Sequence, residues 1–192
     1  MRSLVDMSRP SQRRALLACT AFATFAALTA ASLPTAQAHG PSRLKVSETI
    51  TIDAPAAAVW AKVGNFDALK DWHPAVAESS ASNGNAEGSV RVVKLKGGGE
   101  ITETLNRHEP AAMRYIYRVR DGGDALPVTN YSSTLELKAD GDKTIVEWRG
   151  AFYRGFPNND PPPEKNDDAA IKAVTAVYTS GLAHLKTLME KR

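Results

Sequence analysis

Cysteine is almost absent: Cys19 is the one thiol in 192 residues, so disulfide staples and thiolate metal sites are excluded. Histidine is scarce too, with four in the chain, and no pair of them stands at a metal-ligand spacing. No phosphate cradle is present, because Gly97-Gly98-Gly99 opens no helix, and no serine-histidine-aspartate arrangement emerges. The expectation is therefore no metal and no cofactor. Charge of one sign is lacking as well once the first 38 residues are set apart. Those carry Arg2, Arg9, Arg13 and Arg14 against Asp6, which leaves 20 basic and 20 acidic residues. Without a net field, nucleic acid and anionic membrane are not expected partners.

What the amino-terminal segment does have is the three-part pattern of a cleavable signal: the arginines, the apolar run Ala15 to Ser32, and the small-residue triplet Ala36-Gln37-Ala38 after Pro34. Cleavage is predicted after Ala38, giving a leader over 1–38, a mature domain over 39–192 and a periplasmic or secreted location. The run is short for a bilayer span and ends in a processing site, so no membrane span is expected in the mature form. Arg13-Arg14 followed by Ala15-Leu16-Leu17 resembles a twin-arginine signal, with general secretion as the other route. Leu16-Leu17-Ala18-Cys19 has the look of a lipidation box. It lies too close to Arg14 to be preceded by an apolar segment, and cleavage at Ala38 removes the thiol. Cleavage would also leave His39 first, an amine beside an imidazole that can chelate copper; a second histidine to complete such a site is missing.

The mature chain, roughly 154 residues, is long enough for one core without staples. Leu44, Val46, Ile50 and Ile52 alternate with Lys45, Ser47, Thr49 and Thr51, the period-two pattern of a half-buried strand. Asp53 is expected to cap a helix over Ala54 to Val63 with Pro55 in its first turn, and a second short helical turn spans Phe66 to Trp72. From Ala77 to Tyr153, turn signals such as Asn83-Gly84, Glu109-Pro110 and Asp140-Gly141-Asp142 separate six apolar alternations, as in an antiparallel meander. A proline-rich loop over Gly155 to Asn166 follows. The last element begins at Asn166-Asp167-Asp168 and carries Ile171, Val174, Val177, Tyr178, Leu182, Leu185, Leu188 and Met189 at helical spacing. That stripe needs an apolar partner, and the sheet's concave face supplies one.

This order resembles the helix-grip superfamily of polyketide cyclases, steroidogenic-acute-regulatory lipid-transfer domains and plant abscisic-acid receptors. The words that carry the resemblance are Ile52-Asp53-Ala54-Pro55, Val59-Trp60, Phe66-Asp67, Gly88-Ser89-Val90-Arg91, Glu103-Thr104-Leu105 and Asn130-Tyr131-Ser132-Ser133. It implies an α+β fold: a curved seven-stranded antiparallel sheet wrapped around a long carboxy-terminal helix, with two short helices after the first strand. Within the superfamily, His39-Gly40-Pro41, Trp72-His73-Pro74 and the leader look most like periplasmic MxaD-type proteins of methanol-oxidation systems. That likeness implies an accessory role beside a dehydrogenase and its c-type cytochrome.

Strand parity supplies the pocket candidates. Glu103 shares a face with Ile101 and Leu105, and a carboxylate facing a core needs a partner. Tyr115 and Tyr117 share a face with Met113, and Tyr131 and Ser133 with Leu135 and Leu137, a mixture of hydroxyl and apolar groups that suits a small-molecule pocket. Glu147 and Arg149 share a face of the last strand, and either is a candidate partner for Glu103; Arg91 is a further one whose strand does not orient it. The resemblance matches Glu103, Tyr131 and Ser133 to ligand-contacting positions of the hormone receptors, while the receptors' carboxylate-binding lysine falls at Trp72. His73, beside the expected cavity mouth, has a suitable pKa for proton transfer, against the alternative of a ring hydrogen-bonded in a loop. His108 reads as a turn residue and His184 as a helix-boundary residue.

Three roles follow as expectations. The leading one is a non-catalytic binding protein whose cavity takes a small, partly apolar ligand. The second is an accessory protein whose surface near Pro161 to Pro163 meets a redox enzyme. The third is a cyclase or dehydratase using Glu103, His73 and a tyrosine.

Overall fold

The period-two alternation at the start of the chain becomes strand β1 (Leu44–Ile52), with Val46 and Ile52 buried and Lys45, Ser47, Thr49 and Thr51 exposed. A computed structural model describes residues 40–121 and 125–191; the expected leader, Cys19 and His39 lie outside the described residues. Helix α1 (Ala56–Val63) starts directly after Pro55, whose extended backbone precedes the first turn, and ends where the Gly64 N–H donates to the Trp60 carbonyl. Asp53 does not cap this helix. Its own N–H instead donates to Glu190 at the far end of the chain, at 2.7 Å. The second short helix is a single 3₁₀ turn over Ala68–Asp71.

Six further strands follow: β2 (Val76–Ala81), β3 (Val90–Leu95), β4 (Glu100–Glu109), β5 (Arg114–Asp121), β6 (Val128–Asp140) and β7 (Lys143–Arg154). All neighbours are antiparallel in the order β1-β7-β6-β5-β4-β3-β2, so the late strands form a meander and β1 joins it beside β7. Helix α2 (Asp167–Glu190) closes the described chain; the Asn166 side chain accepts from the Ala169 N–H at 2.8 Å, and Asp167 and Asp168 sit where the helix dipole favours negative charge. Its buried residues are Ala170, Val174, Tyr178, Gly181, Leu182 and Leu185, facing the inner side of the sheet. Ile171, read from the periodicity as part of that stripe, is exposed. The helix-grip architecture expected from the sequence is the one observed. No helix among the described residues is long and apolar enough to cross a membrane.

Two irregularities aim side chains at the interior. In β6 the register slips between Thr129 and Ser132, and Asn130 takes a left-handed backbone, a conformation asparagine tolerates better than most residues. The extra residue resets the alternation, so Val128 before the bulge and Tyr131, Ser133, Leu135 and Leu137 after it all point inward. In β4 a slip between Leu105 and Arg107 turns His108 toward α1, where its Nε2 lies 2.8 Å from the Gly64 carbonyl. His108 is thus a strand residue and not a turn residue.

Candidate functional site

Between the inner face of the sheet, the 3₁₀ segment and α2 lies a cavity of about 100 Å³ whose apolar wall includes Leu69, Val76, Val93, Ile101, Leu126 and Val177. Glu103, Tyr117, Tyr131, His73 and Trp148 add its polar atoms. A cavity of about 150 Å³ holds a benzene, so in this conformation the space suits a compact molecule and not a drug-sized one.

Glu103 reaches this wall because its strand alternates Ile101, Glu103 and Leu105 inward. Its partner is Arg91, on the adjacent strand β3 and directly opposite in register. Arg91 is almost fully buried. Its Nε donates to Glu103 Oε2 at 2.7 Å, Nη2 makes an ion-pair contact with the same oxygen, and Nη1 donates to the Phe66 carbonyl. The guanidinium carbon also lies 4.1 Å from the centroid of the Phe66 ring and 5.3 Å from that of Tyr117, where ring quadrupoles favour a cation. Burial works against the Arg91 charge; the charge and hydrogen bond of Glu103, with Tyr115 and Tyr117 adding to them, outweigh it, so its pKa is raised. Removing either partner would leave an uncompensated charge in the core.

A second polar group runs along β6, β7 and α2. The Trp148 indole N–H is shared between Ser133 Oγ at 3.0 Å and Tyr117 Oη at 3.1 Å. Ser133 Oγ also lies 2.8 Å from Tyr178 Oη and donates to the Arg149 carbonyl at 3.1 Å, and Tyr178 in turn meets the Tyr131 hydroxyl. Trp148 stacks on Tyr178 with centroids 4.5 Å apart. Gly150 makes this approach possible, since a Cβ there would collide with the Tyr178 hydroxyl and the Tyr131 ring. Burial raises Tyr117 and Tyr131 well above the ordinary phenol value, and Tyr178 above it too, so all three remain neutral hydrogen-bonding groups.

His73 is buried with both nitrogens engaged. Nδ1 accepts from the Ala75 N–H at 3.2 Å, which requires the proton on Nε2, and Nε2–H donates to the Val177 carbonyl at 3.0 Å. Burial lowers its pKa despite the Val177 bond, and repulsion from His184, Arg91 and Lys96 acts in the same direction as burial. A neutral ring with no free lone pair is poorly disposed for proton transfer; its visible work is to tie the 3₁₀ segment to α2. His184 adds a second tie through Nδ1, 2.8 Å from the Trp72 carbonyl. Gly181 admits the His73 ring, because a Cβ there would lie 2.6 Å from His73 Cδ2 and 2.9 Å from the Trp148 ring.

A protein-family model described as polyketide cyclase / dehydrase and lipid transport matches residues 43–190. The chain belongs to that family. Among solved structures, it is similar to a protein from Bacillus thuringiensis (27% identity over 77% of this chain and 100% of that one, TM-score 0.66). It is similar likewise to XoxI from Bacillus cereus (27% identity, 76% and 94% covered, TM-score 0.65). Norcoclaurine synthase from Thalictrum flavum, solved with dopamine and hydroxybenzaldehyde, shares the fold at 14% identity (79% and 90% covered, TM-score 0.58). No curated protein matches the chain. The polyketide cyclase / lipid transport fold is one that houses small hydrophobic ligands, and the cavity described above occupies its interior.

In this family member the sequence candidates divide into three groups. Glu103, Tyr117, Tyr131 and His73 line the cavity together. Ser133, Tyr115 and Trp72 are buried behind its wall: Ser133 joins the hydroxyl network, Tyr115 packs among Trp60, Phe66 and His108, and the Trp72 ring lies 5.4 Å from that of Trp148. Glu147 and Arg149 are on the other face of the sheet and are not partners of Glu103. They pair with each other at 2.8 Å and Arg149 also pairs with Glu136 at 2.9 Å, beside an open groove. The inward residues of β7 are Thr144, Val146, Trp148, Phe152 and Arg154. Sequence reasoning missed Trp148, Tyr178 and Gly150 as parts of the site. A tyrosine inside the apolar stripe of α2 was a usable signal, because a buried phenol hydroxyl calls for a partner.

Proposed function

We propose that the protein is a non-catalytic binding protein of the exported compartment, whose cavity takes a small, partly apolar ligand. The observation that carries this reading is the cavity itself: apolar on most sides, with Glu103, Tyr117 and Tyr131 converging on it. The engagement of both His73 nitrogens and the capture of Glu103 Oε2 by Arg91 favour binding over proton transfer. The leader-like first 38 residues support export, and the likeness to MxaD-type proteins supports service to a periplasmic methanol dehydrogenase and its c-type cytochrome.

Native mass spectrometry of the protein isolated from its own source tests the reading. The expected result is a stoichiometric small-molecule adduct that disappears in Val177→Phe, which fills the cavity from α2. An empty protein that co-purifies with a dehydrogenase or cytochrome equally well in both forms would overturn the cavity reading and move the function to the surface.

A further inference from the structure

Two residues that line the cavity each carry a polar atom that is only half used. Tyr117 Oη accepts from the Trp148 indole, and since an indole N–H can only donate, the phenol keeps its own proton to give away. None of the described residues accepts it. Glu103 offers the complement: Arg91 approaches Oε2 with both Nε and Nη2, and Oε1 has no donor among the described residues. The two groups are neighbours. On the β4–β5 ladder Glu103 pairs with Val119 and Leu105 with Tyr117, so Glu103 and Tyr117 stand diagonally on the inner face, and both line the cavity.

Head-group chemistry follows from what this pair can and cannot satisfy. Among the described residues no lysine or arginine lines the cavity, so a carboxylate or phosphate would face Glu103 without a cation. An ammonium could donate to Glu103 yet could not accept the Tyr117 proton, and it would be dehydrated beside a carboxylate already paired with Arg91. A neutral hydroxyl meets both: its oxygen accepts from Tyr117 and its proton goes to Glu103 Oε1. Resting on the ligand-binding reading above, we infer that the cavity selects a neutral hydroxyl on a compact apolar body. The space of about 100 Å³ is smaller than the ~150 Å³ cavity that holds benzene in an engineered protein, which limits the body to roughly five heavy atoms.

Three probes with one carbon skeleton test this: isobutanol, isobutylammonium and isobutyrate, titrated into the purified protein while the Trp148 indole N–H is followed by NMR. Isobutanol is expected to shift that resonance saturably and to bind at least tenfold more tightly than either charged probe. In Tyr117→Phe the indole keeps Ser133 as acceptor, and isobutanol affinity is expected to fall about tenfold, the worth of one hydrogen bond. Equal or tighter binding of isobutyrate or isobutylammonium, or an unchanged affinity in Tyr117→Phe, overturns the hydroxyl assignment and leaves the cavity as a ligand site. Failure of all three probes to bind overturns the ligand-site reading itself. The probe comparison needs no variant, so it decides even where Tyr117→Phe does not fold.

Discussion

Two glutamate–arginine associations occupy opposite faces of the same sheet. On the inner face Arg91 and Glu103 are 1% and 8% exposed at their side chains; on the outer face Arg149 is 40% exposed and shares Glu136 and Glu147. The chemistry is the same and the surroundings are not. Inside, desolvation makes each charge depend on its partner, and the π-faces of Phe66 and Tyr117 and the Phe66 carbonyl supply what water would have. Outside, water and salt perform that service, and two carboxylates compete for one guanidinium. An ion pair on this sheet therefore has structural weight according to strand parity and not according to its distance.

The sharpest way to break this contrast is Arg91→Met. It should destabilise the protein by about 3–5 kcal/mol, read as a lower urea midpoint at unchanged slope, because Glu103 is left without its partner beside an apolar wall. Adding Glu103→Leu should recover most of that loss, since a buried pair replaced as a unit is often neutral or better. If the single substitution changed stability by less than about 1 kcal/mol, the inner pair would be no different in kind from the outer one.

Strand alternation and the α2 stripe were sufficient to read the order of elements, and the resemblance carried by that order implied the curved sheet gripping the helix. The inward direction of Glu103 was readable too, since Ile101 and Leu105 flank it without interruption. The opposite error at β7 has a physical cause: Ile145 and Ala151 give the outer parity an apolar look, while the decisive inner residues include Thr144 and Arg154, which are polar and buried. Arg91 could not be oriented because valine stands on both parities of its strand. Nor could the bulge at Asn130 be foreseen: it lets Val128 and Tyr131 share a face though three residues apart, and its left-handed backbone is permitted by asparagine but not demanded by it.

An intermediate effect is expected at His73, a buried group without a charged partner. At pH 7.5, His73→Gln should cost about 1–2 kcal/mol by weakening the bonds to Ala75 and Val177. The pH dependence separates this site from both ion pairs. The folded ring resists the proton and the unfolded ring does not, so below the ordinary value of 6.5 the unfolded chain binds more protons. The stabilisation is therefore complete above about pH 6.5 and is lost as the pH falls toward the lowered folded value. Thermal melts between pH 7.5 and 5 should show the wild type approaching the variant as acidity rises; parallel curves would mean that His73 carries no such linkage.

The smallest effect belongs to Arg149→Ala. Its guanidinium is accessible, and the hydrogen bond from Arg149 holds Glu136 below the ordinary carboxylate pKa against a modest opposing effect of burial. Exposed pairs of this kind contribute about 0.2–1 kcal/mol, and the loss should shrink further in high salt because solvent ions screen a surface contact. The same salt series on Arg91→Met should leave its large deficit nearly unchanged, since the inner pair is closed to the solvent ions that screen the outer one. A salt-insensitive loss of more than 2 kcal/mol at Arg149 would mean that the outer groove is as dry as the cavity, and the contrast between the two faces would fail.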